Sequence, residues 1–187
     1  SGIVRWLAGA GVTANQVTVL AALLSVMLGL ALACFPDSTV LWLTLPLFLF
    51  VRMALNAIDG MLARQYNQKS ALGGLLNEVG DVVSDAALYL PFALLPGVSS
   101  GLVLAVVLLA MLTEYIGVCA VMVGASRRYD GPMGKSDRAF VLGACALALG
   151  LGYPAGIWLQ LVLVIVALLS LLTVLNRGRA ALREVQP

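Results

Sequence analysis

Polar residues recur at helical spacing in one segment of an otherwise apolar chain. Asn56 and Asp59 are three residues apart, so a helix would place both side chains on the same face. A second series follows at every fourth position, and its members are Gly73, Asn77, Asp81 and Asp85. Polar groups in a membrane are costly and usually have a function. The two series therefore predict two polar helix faces that meet in a functional site.

The residues around these series indicate what such a site could bind. Gly60 follows Asp59, and Gly73 lies one helical turn before Asn77, so a bulky ligand such as a nucleotide could approach the backbone at both glycines. Arg64 could pair with a phosphate or with the carboxylates. The alternative is that the polar groups only pair with one another across the helices, as intramembrane polar residues often do. The regular spacing and the glycines together favour a ligand site.

The composition is typical of an integral membrane protein. Of the 187 residues, 61% are hydrophobic and 11% are charged, which lies outside the usual range of soluble globular domains. A helix needs about 20 apolar residues to cross a bilayer. The segments from Trp6 to Pro36, from Ala86 to Thr113 and from Ala139 to Asn176 contain no charged residue. The longest of these runs must hold more than one crossing, or a crossing and a turn.

Breaks between the apolar runs divide the chain into predicted helices. The breaks are Gly, Pro and Ser clusters or polar linkers at 35–38, 65–72, 96–101, 126–137 and 150–154. Residues 3–12 are too short to span and predict a helix at the membrane interface, while Thr13 and Gln16 predict a capping box at the start of the first span. The sequence thus predicts one all-α membrane domain over residues 1–187, with six transmembrane helices at about 14–35, 39–64, 73–95, 102–126, 138–151 and 155–176.

The distribution of basic residues predicts the orientation of these helices. Lys and Arg near helix ends are retained on the cytoplasmic side. Here they cluster at the N-terminus, around the linkers 65–72 and 126–137 and at the C-terminus, whereas the opposite loops contain only Asp37 as a charged residue. Both termini and the polar site are therefore predicted to be cytoplasmic. The net charge of +2 reflects this topology and does not indicate a nucleic-acid partner.

The segment 56–81 resembles the signature of the CDP-alcohol phosphotransferases, also called CDP-alcohol phosphatidyltransferases. That signature is D-x2-D-G-x2-A-R-x8-G-x3-D-x3-D. The matching positions here are Asn56, Asp59, Gly60, Ala63, Arg64, Gly73, Asn77 and Asp81. The spacing agrees throughout, and only the first and third aspartates differ. The resemblance extends over nearly the whole chain, through the VTANQVT segment at the start of the first span and Gly134-Lys135 before the fifth.

This resemblance implies a reaction and a set of roles. In the family, an acceptor hydroxyl attacks the β-phosphorus of a CDP-alcohol and CMP leaves. One or two Mg²⁺ or Mn²⁺ ions would be held by Asp59 and Asp81, with Asn56 and Asn77 as further oxygen donors, and Asp81 would also be the catalytic base. The positions expected to border the cytidine diphosphate are Asn56, Asp59, Gly60, Ala63, Arg64, Gly73 and Asn77. A homodimer is also implied.

The two asparagines are the main departure from the family pattern. With Asn56 and Asn77 the signature positions have a charge of −2, where the family pattern has −4. An asparagine carbonyl can ligate a hard cation, but it is neutral and a poor bridge between two ions. Glu78, Asp85 or the substrate pyrophosphate could supply the missing charge. A register that uses Asp81 and Asp85 as the last two acids would lengthen the spacer and lose the glycine, so the first register is favoured.

Further charged residues lie outside the signature. Lys135 and Arg138 open the predicted fifth span, where they could bind an acceptor or lipid phosphate or anchor the helix at the cytoplasmic headgroups. Arg127 and Arg128 are interpreted as anchors. Arg52 and Glu114 fall inside predicted spans, where unpaired charge is costly. We expect Arg52 to pair with Glu114 or with Asp85, the alternative being that they line an acceptor cavity.

The sequence thus predicts a bacterial inner-membrane enzyme of phospholipid biosynthesis. By this resemblance it would transfer a phosphatidyl or phosphoalcohol group from a CDP-alcohol, with CDP-diacylglycerol as the expected donor, to a hydroxyl acceptor, and it would also contact membrane lipids. Glycerol phosphate, inositol phosphate, serine and another lipid all remain open as the acceptor. The asparagines leave three interpretations open: an enzyme with one or weakly held ions, a binding protein that has lost catalysis, or an engineered inactivation. A transporter would have midplane sites on broken helices, and the position of the polar series at helix ends disfavours that class.

Overall fold

The computed structural model describes residues 2–186 and is all-helical over that range. The ends of the predicted domain, Ser1 and Pro187, lie outside the described residues. The elements are α1 (Gly2–Gly9), α2 (Ala14–Cys34), α3 (Thr39–Gln65), α4 (Ala71–Tyr89), a 3₁₀ helix (Leu90–Leu94), α5 (Ser100–Met122), α6 (Lys135–Gly150) and α7 (Ile157–Val185).

Four of these helices, α2, α3, α5 and α7, are long and apolar enough to cross a membrane. They correspond to four of the six predicted spans. The other two predicted spans, α4 and α6, do not meet that description for physical reasons. Helix α4 contains three acids in 19 residues, Glu78, Asp81 and Asp85. Helix α6 has 16 residues, which is shorter than the roughly 20 needed to span a typical bilayer.

The helix ends differ from the predicted ends where polar residues continue a helix or a proline interrupts it. Helix α7 extends to Val185, nine residues past the predicted end at 176. The additional residues are the basic segment that follows the apolar run. Helix α4 gives way to the 3₁₀ helix at Leu90, where Pro91 has no backbone N–H to donate. The interfacial helix ends at Gly9, before the predicted residue 12.

Side-chain caps fix where the helices begin. The predicted capping box is confirmed: the Thr13 hydroxyl accepts from the Gln16 N–H at 3.3 Å, and the Gln16 carbonyl Oε1 accepts from the Thr13 N–H at 2.9 Å. Serine hydroxyls cap three more helices in the same way, namely Ser38 at α3, Ser70 at α4 and Ser99 at α5. The start of each of these helices is thus set by local sequence.

Replacing Thr13 by alanine should lower the free energy of unfolding by about 1 kcal/mol, because one N-terminal N–H of α2 loses its acceptor. The measurement is denaturant unfolding of the purified chain in detergent micelles. Thr44→Ala is the matched control, since the Thr44 hydroxyl only donates to the Val40 carbonyl within α3. An equal loss in both variants would show that the cap contributes nothing specific.

Three helix pairs form the bundle: α2 with α4, α3 with α6 and α5 with α7. Gly29 lets α2 approach α4, since a Cβ atom there would collide with the Ala87 carbonyl. The largest buried cluster joins α3, α5, α6 and α7 and includes an edge-to-face contact of Trp42 with Phe92, with 4.8 Å between ring centroids. Helix α2 packs against both α3 and α4, and the C-terminal half of α3 reaches α4 through side chains, since Arg52 and Asn56 donate to Asp81.

Candidate active site

The two polar series converge on a pocket of about 430 Å³. It lies between α3, α4 and the start of α2. The predicted site residues that line it are Asn56, Asp59, Gly60, Ala63, Arg64, Gly73 and Asn77. A second pocket of about 410 Å³ adjoins it and is lined by Asp81 and Lys135, and Asn56 and Asn77 line both pockets. The structure therefore brings together every predicted site residue except Arg138.

Asp59 is held at the base of the first pocket by a residue of α2. Its side chain is 4% exposed, and its Oδ2 accepts a hydrogen bond from the Thr18 hydroxyl at 2.8 Å. The Thr18 hydroxyl also lies 3.1 Å from the Ala14 carbonyl one turn earlier. Thr18 thus orients the carboxylate from behind, a role that sequence reasoning missed although Thr18 lies in the VTANQVT segment.

The predicted glycines make room for polar neighbours within the pocket. A Cβ atom on Gly60 would lie 3.3 Å from the Arg64 guanidinium, which folds back beside this glycine. A Cβ atom on Gly73 would lie 2.6 Å from the Asn15 side-chain oxygen. The Asn15 side chain therefore occupies the space beside Gly73. Asn15 is a pocket residue of α2 that sequence reasoning also missed. Polar side chains of α2 and α3 thus fill the space beside both glycines.

Asp81 accepts from three side chains. Its Oδ1 accepts from the Asn56 amide at 3.2 Å and from the Arg52 guanidinium at 3.3 Å. Its Oδ2 accepts from the Lys135 ammonium at 2.5 Å. Because a carboxylate can only accept, the Asn56 amide must turn its Nδ2, and not its Oδ1, toward Asp81. The carboxylate is 14% exposed and so can be reached from the second pocket.

Behind Asp81, buried arginines neutralise the remaining acids. Arg52 pairs with Asp85 at 2.6 Å, which confirms one of the two partners predicted for it. Arg138 is fully buried and donates to Asp85 and to Glu114, each at 3.1 Å. It also donates to the Thr113 hydroxyl at 2.8 Å. Arg138 therefore lies behind the two pockets, whereas Lys135, three residues earlier, opens into one of them.

Glu78, which was also predicted as a source of negative charge for the ion site, is engaged in an ion pair as well. Glu78 accepts two hydrogen bonds of 2.7 Å from the Arg127 guanidinium, a bidentate geometry that fixes both side chains. The same guanidinium lies 4.4 Å from the Tyr129 ring centre. Arg127 was interpreted only as an anchor, and its separation of 49 positions from Glu78 left no local signal for this pairing.

The loop 123–134 that delivers Lys135 is tied to α7. The Met133 N–H donates to the Thr173 hydroxyl at 2.9 Å, and Arg177 donates to the Asp130 carbonyl at 3.2 Å. Arg128 bridges Asp130 at 2.8 Å and Glu184 at 2.5 Å. The hydrogen bond that Arg128 donates to Asp130 holds the pKa of the Asp130 carboxyl below its usual range. The position of Lys135 is thus set by a braced loop.

The donors at the predicted ion site do not fit two divalent ions. Of the four signature side chains, only Asp59 and Asp81 are carboxylates, and both Asp81 oxygens already accept from cationic side chains. The Asn56 amide presents a donor where an ion needs an acceptor. Glu78 and Asp85 are neutralised by arginines. Within residues 2–186, no group of three or more His, Cys, Asp or Glu side chains is placed to hold a metal ion.

Comparison with known proteins identifies the family. The chain is 47% identical over 178 residues to the inner membrane protein YnbA of Escherichia coli strain K12, covering 95% of this chain and 88% of YnbA. Its fold is that of Mycobacterium tuberculosis phosphatidylinositol phosphate synthase PgsA1. The structure of PgsA1 with CDP-DAG bound matches with a TM-score of 0.79 at 20% identity, over 96% of this chain and 92% of that one. Its complex with manganese and citrate matches with a TM-score of 0.80 at 21% identity, over 99% and 90%.

A match of the sequence to a family model supports the same relationship. The model for CDP-alcohol phosphatidyltransferase matches residues 11–182. That range includes both pockets and every helix except α1 and the last three residues of α7. The chain therefore belongs to the CDP-alcohol phosphatidyltransferase family, whose members are transferases of phospholipid biosynthesis.

Proposed function

We propose that the chain transfers a phosphatidyl or related phosphoalcohol group from a CDP-alcohol to a hydroxyl acceptor and releases CMP. The proposed donor is CDP-diacylglycerol. The observation that carries this proposal is the first pocket, which the signature positions of α3 and α4 line together. Family membership supports the reaction class.

The two pockets suggest how donor and acceptor would meet. The cytidine diphosphate would occupy the first pocket, with Arg64 beside it and with Gly60, Ala63 and Gly73 among the lining residues. The acceptor would enter the second pocket, next to Asp81. Both ligands would then meet where the two pockets share Asn56 and Asn77. This arrangement would hold the reacting groups in proximity, which lowers the entropic part of the barrier.

The proposed reaction balances without a further reactant. The acceptor oxygen forms a bond to the β-phosphorus of the donor. The bond from that phosphorus to the oxygen bridging toward the α-phosphate breaks, and CMP leaves with the electron pair. Asp81 takes the hydroxyl proton and passes it to solvent, which is general base catalysis. Asp81 faces the second pocket, as a base for the acceptor requires.

The basic residues predicted to bind phosphate take different parts in this proposal. Lys135 lines the second pocket and is the proposed phosphate contact. Arg138 is fully buried between Asp85 and Glu114, so we assign it a positioning role: it holds α4, α5 and α6 together behind the site.

We also propose that α4 and α6 cross the membrane, which gives six spans with both termini and the site on the cytoplasmic side. Ion pairs support this placement, since Asp85 and Glu78 of α4 are paired with arginines and do not face the bilayer as free charges. Helix α6 packs along the spanning helix α3. The relative YnbA is named an inner membrane protein, and a bacterial inner membrane is the proposed location.

A second candidate function is a binding protein that holds a CDP-lipid without turnover. The neutral side chains of Asn56 and Asn77 favour it, because the family pattern has acids at both positions.

The resemblance also implies a homodimer and one or two Mg²⁺ or Mn²⁺ ions. The donor set does not fit two such ions, so no step above uses one. Mass measurement in micelles tests the dimer, and assays in either ion or in EDTA test the ion dependence.

The deciding experiment is CMP release from CDP-diacylglycerol by the purified chain, with glycerol phosphate, inositol phosphate and serine as acceptors. We expect release with at least one acceptor. Asp81→Asn should lower the rate by at least about 100-fold, the lower end of the contribution of a general base. Asp37→Asn is the matched control, because Asp37 lies in the α2–α3 loop and lines neither of the two pockets. Binding of the donor by folded protein without release for any acceptor would favour the binding function.

A further inference from the structure

The Lys135 ammonium lies beside Asp81, a signature position to which the resemblance assigns a divalent ion. It is the first residue of α6, and its Nζ is 2.5 Å from Asp81 Oδ2. Its side chain is 27% exposed and lines the second pocket together with Asn56 and Asn77. A cation of this chain therefore faces the signature acid at the junction where the donor's β-phosphate would lie.

The asparagines remove the electrostatic need for a divalent ion at this point. An aspartate at position 56 would face Asp81 as a like charge across 3.2 Å, the distance now bridged by the Asn56 amide, and would need a cation between the two. With Asn56 the contact is a hydrogen bond and needs none. Of the two signature acids, Asp81 is paired with Lys135. Its other oxygen accepts from Arg52, which Asp81 shares with Asp85.

Lys135 is held in place more firmly than a surface lysine. The loop before it is tied to α7 through Thr173 and Arg177. Its partner Asp81 is oriented by Arg52, which is itself paired with Asp85. An ammonium fixed in this way can contact phosphate oxygens as a point charge without the cost of ordering a flexible side chain.

We propose that Lys135 takes the place of the divalent ion, so that this chain binds the diphosphate of a CDP-lipid without Mg²⁺ or Mn²⁺. The inference rests on the proposed donor. Lys135 would contact a β-phosphate oxygen while Asp81 retains its bond to Arg52. The positive charge that neutralises the diphosphate thus belongs to the protein and is not carried in with an ion.

The test is equilibrium binding of CDP-diacylglycerol to the purified chain in micelles, once in excess EDTA and once in Mn²⁺. We expect the two dissociation constants to agree within about twofold. Lys135→Gln should weaken binding at least about tenfold, a difference of about 1.4 kcal/mol, and Lys135→Arg should restore most of it. Arg179→Gln is the matched control, since Arg179 is an exposed cation of α7 that lines neither pocket. Thermal unfolding of each variant establishes that it is folded.

The outcomes separate this inference from the proposed function. Binding that is lost in EDTA and restored by Mn²⁺ would overturn the inference and leave the donor assignment intact. Unchanged affinity in folded Lys135→Gln would also overturn it. No binding by the wild-type chain in either buffer would overturn the proposed donor and this inference with it. A titration of Mn²⁺ followed by electron paramagnetic resonance gives a readout without donor: we expect the ion to stay free, and tight binding to the wild-type chain would contradict the proposal.

Discussion

Replacing Arg138 by methionine should destabilise the chain by about 3 kcal/mol, the lower end of the cost of breaking a buried ion pair. Arg138 is fully buried and donates to Asp85, Glu114 and Thr113. Methionine fills much of the same volume but leaves two buried carboxylates short of a partner. The cost stays near the lower end because Asp85 keeps Arg52 and Glu114 keeps Arg127 and Arg177.

Denaturant unfolding in micelles measures this effect, and two further variants define its origin. Arg128→Met removes an arginine that pairs with Asp130 and Glu184 at the surface, where ion pairs contribute about 1 kcal/mol or less. Asp85→Asn should cost less in the Arg138→Met background than in the wild-type chain, because Asp85 has then already lost its ion pair with Arg138. If Arg138→Met and Arg128→Met cost the same, the buried arginine does not stabilise the bundle as we infer.

The helical spacing of polar residues was sufficient to predict the first pocket. Asn56 and Asp59 share one face of α3, and Asn77 and Asp81 share one face of α4, as their spacing requires. The short polar linker keeps these two faces close in space, but it is α2 that packs against both α3 and α4. Sequence could not choose between two roles for Asp85, a charge for the ion site or a partner of Arg52, because spacing gives a face and not its neighbours. The structure places Asp85 among arginines.

Sequence reasoning could not predict the contacts between residues that are far apart in the chain. Thr18 binds Asp59 across 41 residues, and Arg127 binds Glu78 across 49. No local pattern distinguishes these side chains from an ordinary buried threonine or a cytoplasmic anchor. The same reason explains Arg138: its position in sequence beside Lys135 predicted a shared role, but one turn of helix separates a pocket-lining residue from a buried one.

Restoring both acids of the signature should convert the site into one that needs a divalent ion. In the variant Asn56→Asp plus Asn77→Asp, the signature charge falls from −2 to −4. The new carboxylate at position 56 would face Asp81 across the 3.2 Å now bridged by an amide. In EDTA this repulsion should lower the midpoint of thermal unfolding below that of the wild-type chain. Mn²⁺ should reverse the loss, because a bound ion stabilises the folded state by mass action.

Thermal unfolding in EDTA and in Mn²⁺, together with a Mn²⁺ titration, measures this conversion. The matched control is Asn15→Asp, which adds a negative charge to the first pocket at a position outside the signature and should bind no ion tightly. The wild-type chain should show the same midpoint in both buffers, since Lys135 and Arg52 already neutralise Asp81. If Mn²⁺ stabilises the wild-type chain as much as the double variant, the asparagines do not prevent ion binding, and the chain uses ions as its family pattern implies. If Mn²⁺ raises the midpoint of the double variant only, the wild-type site needs no divalent ion, because the two asparagines lower its negative charge and Lys135 supplies the positive charge.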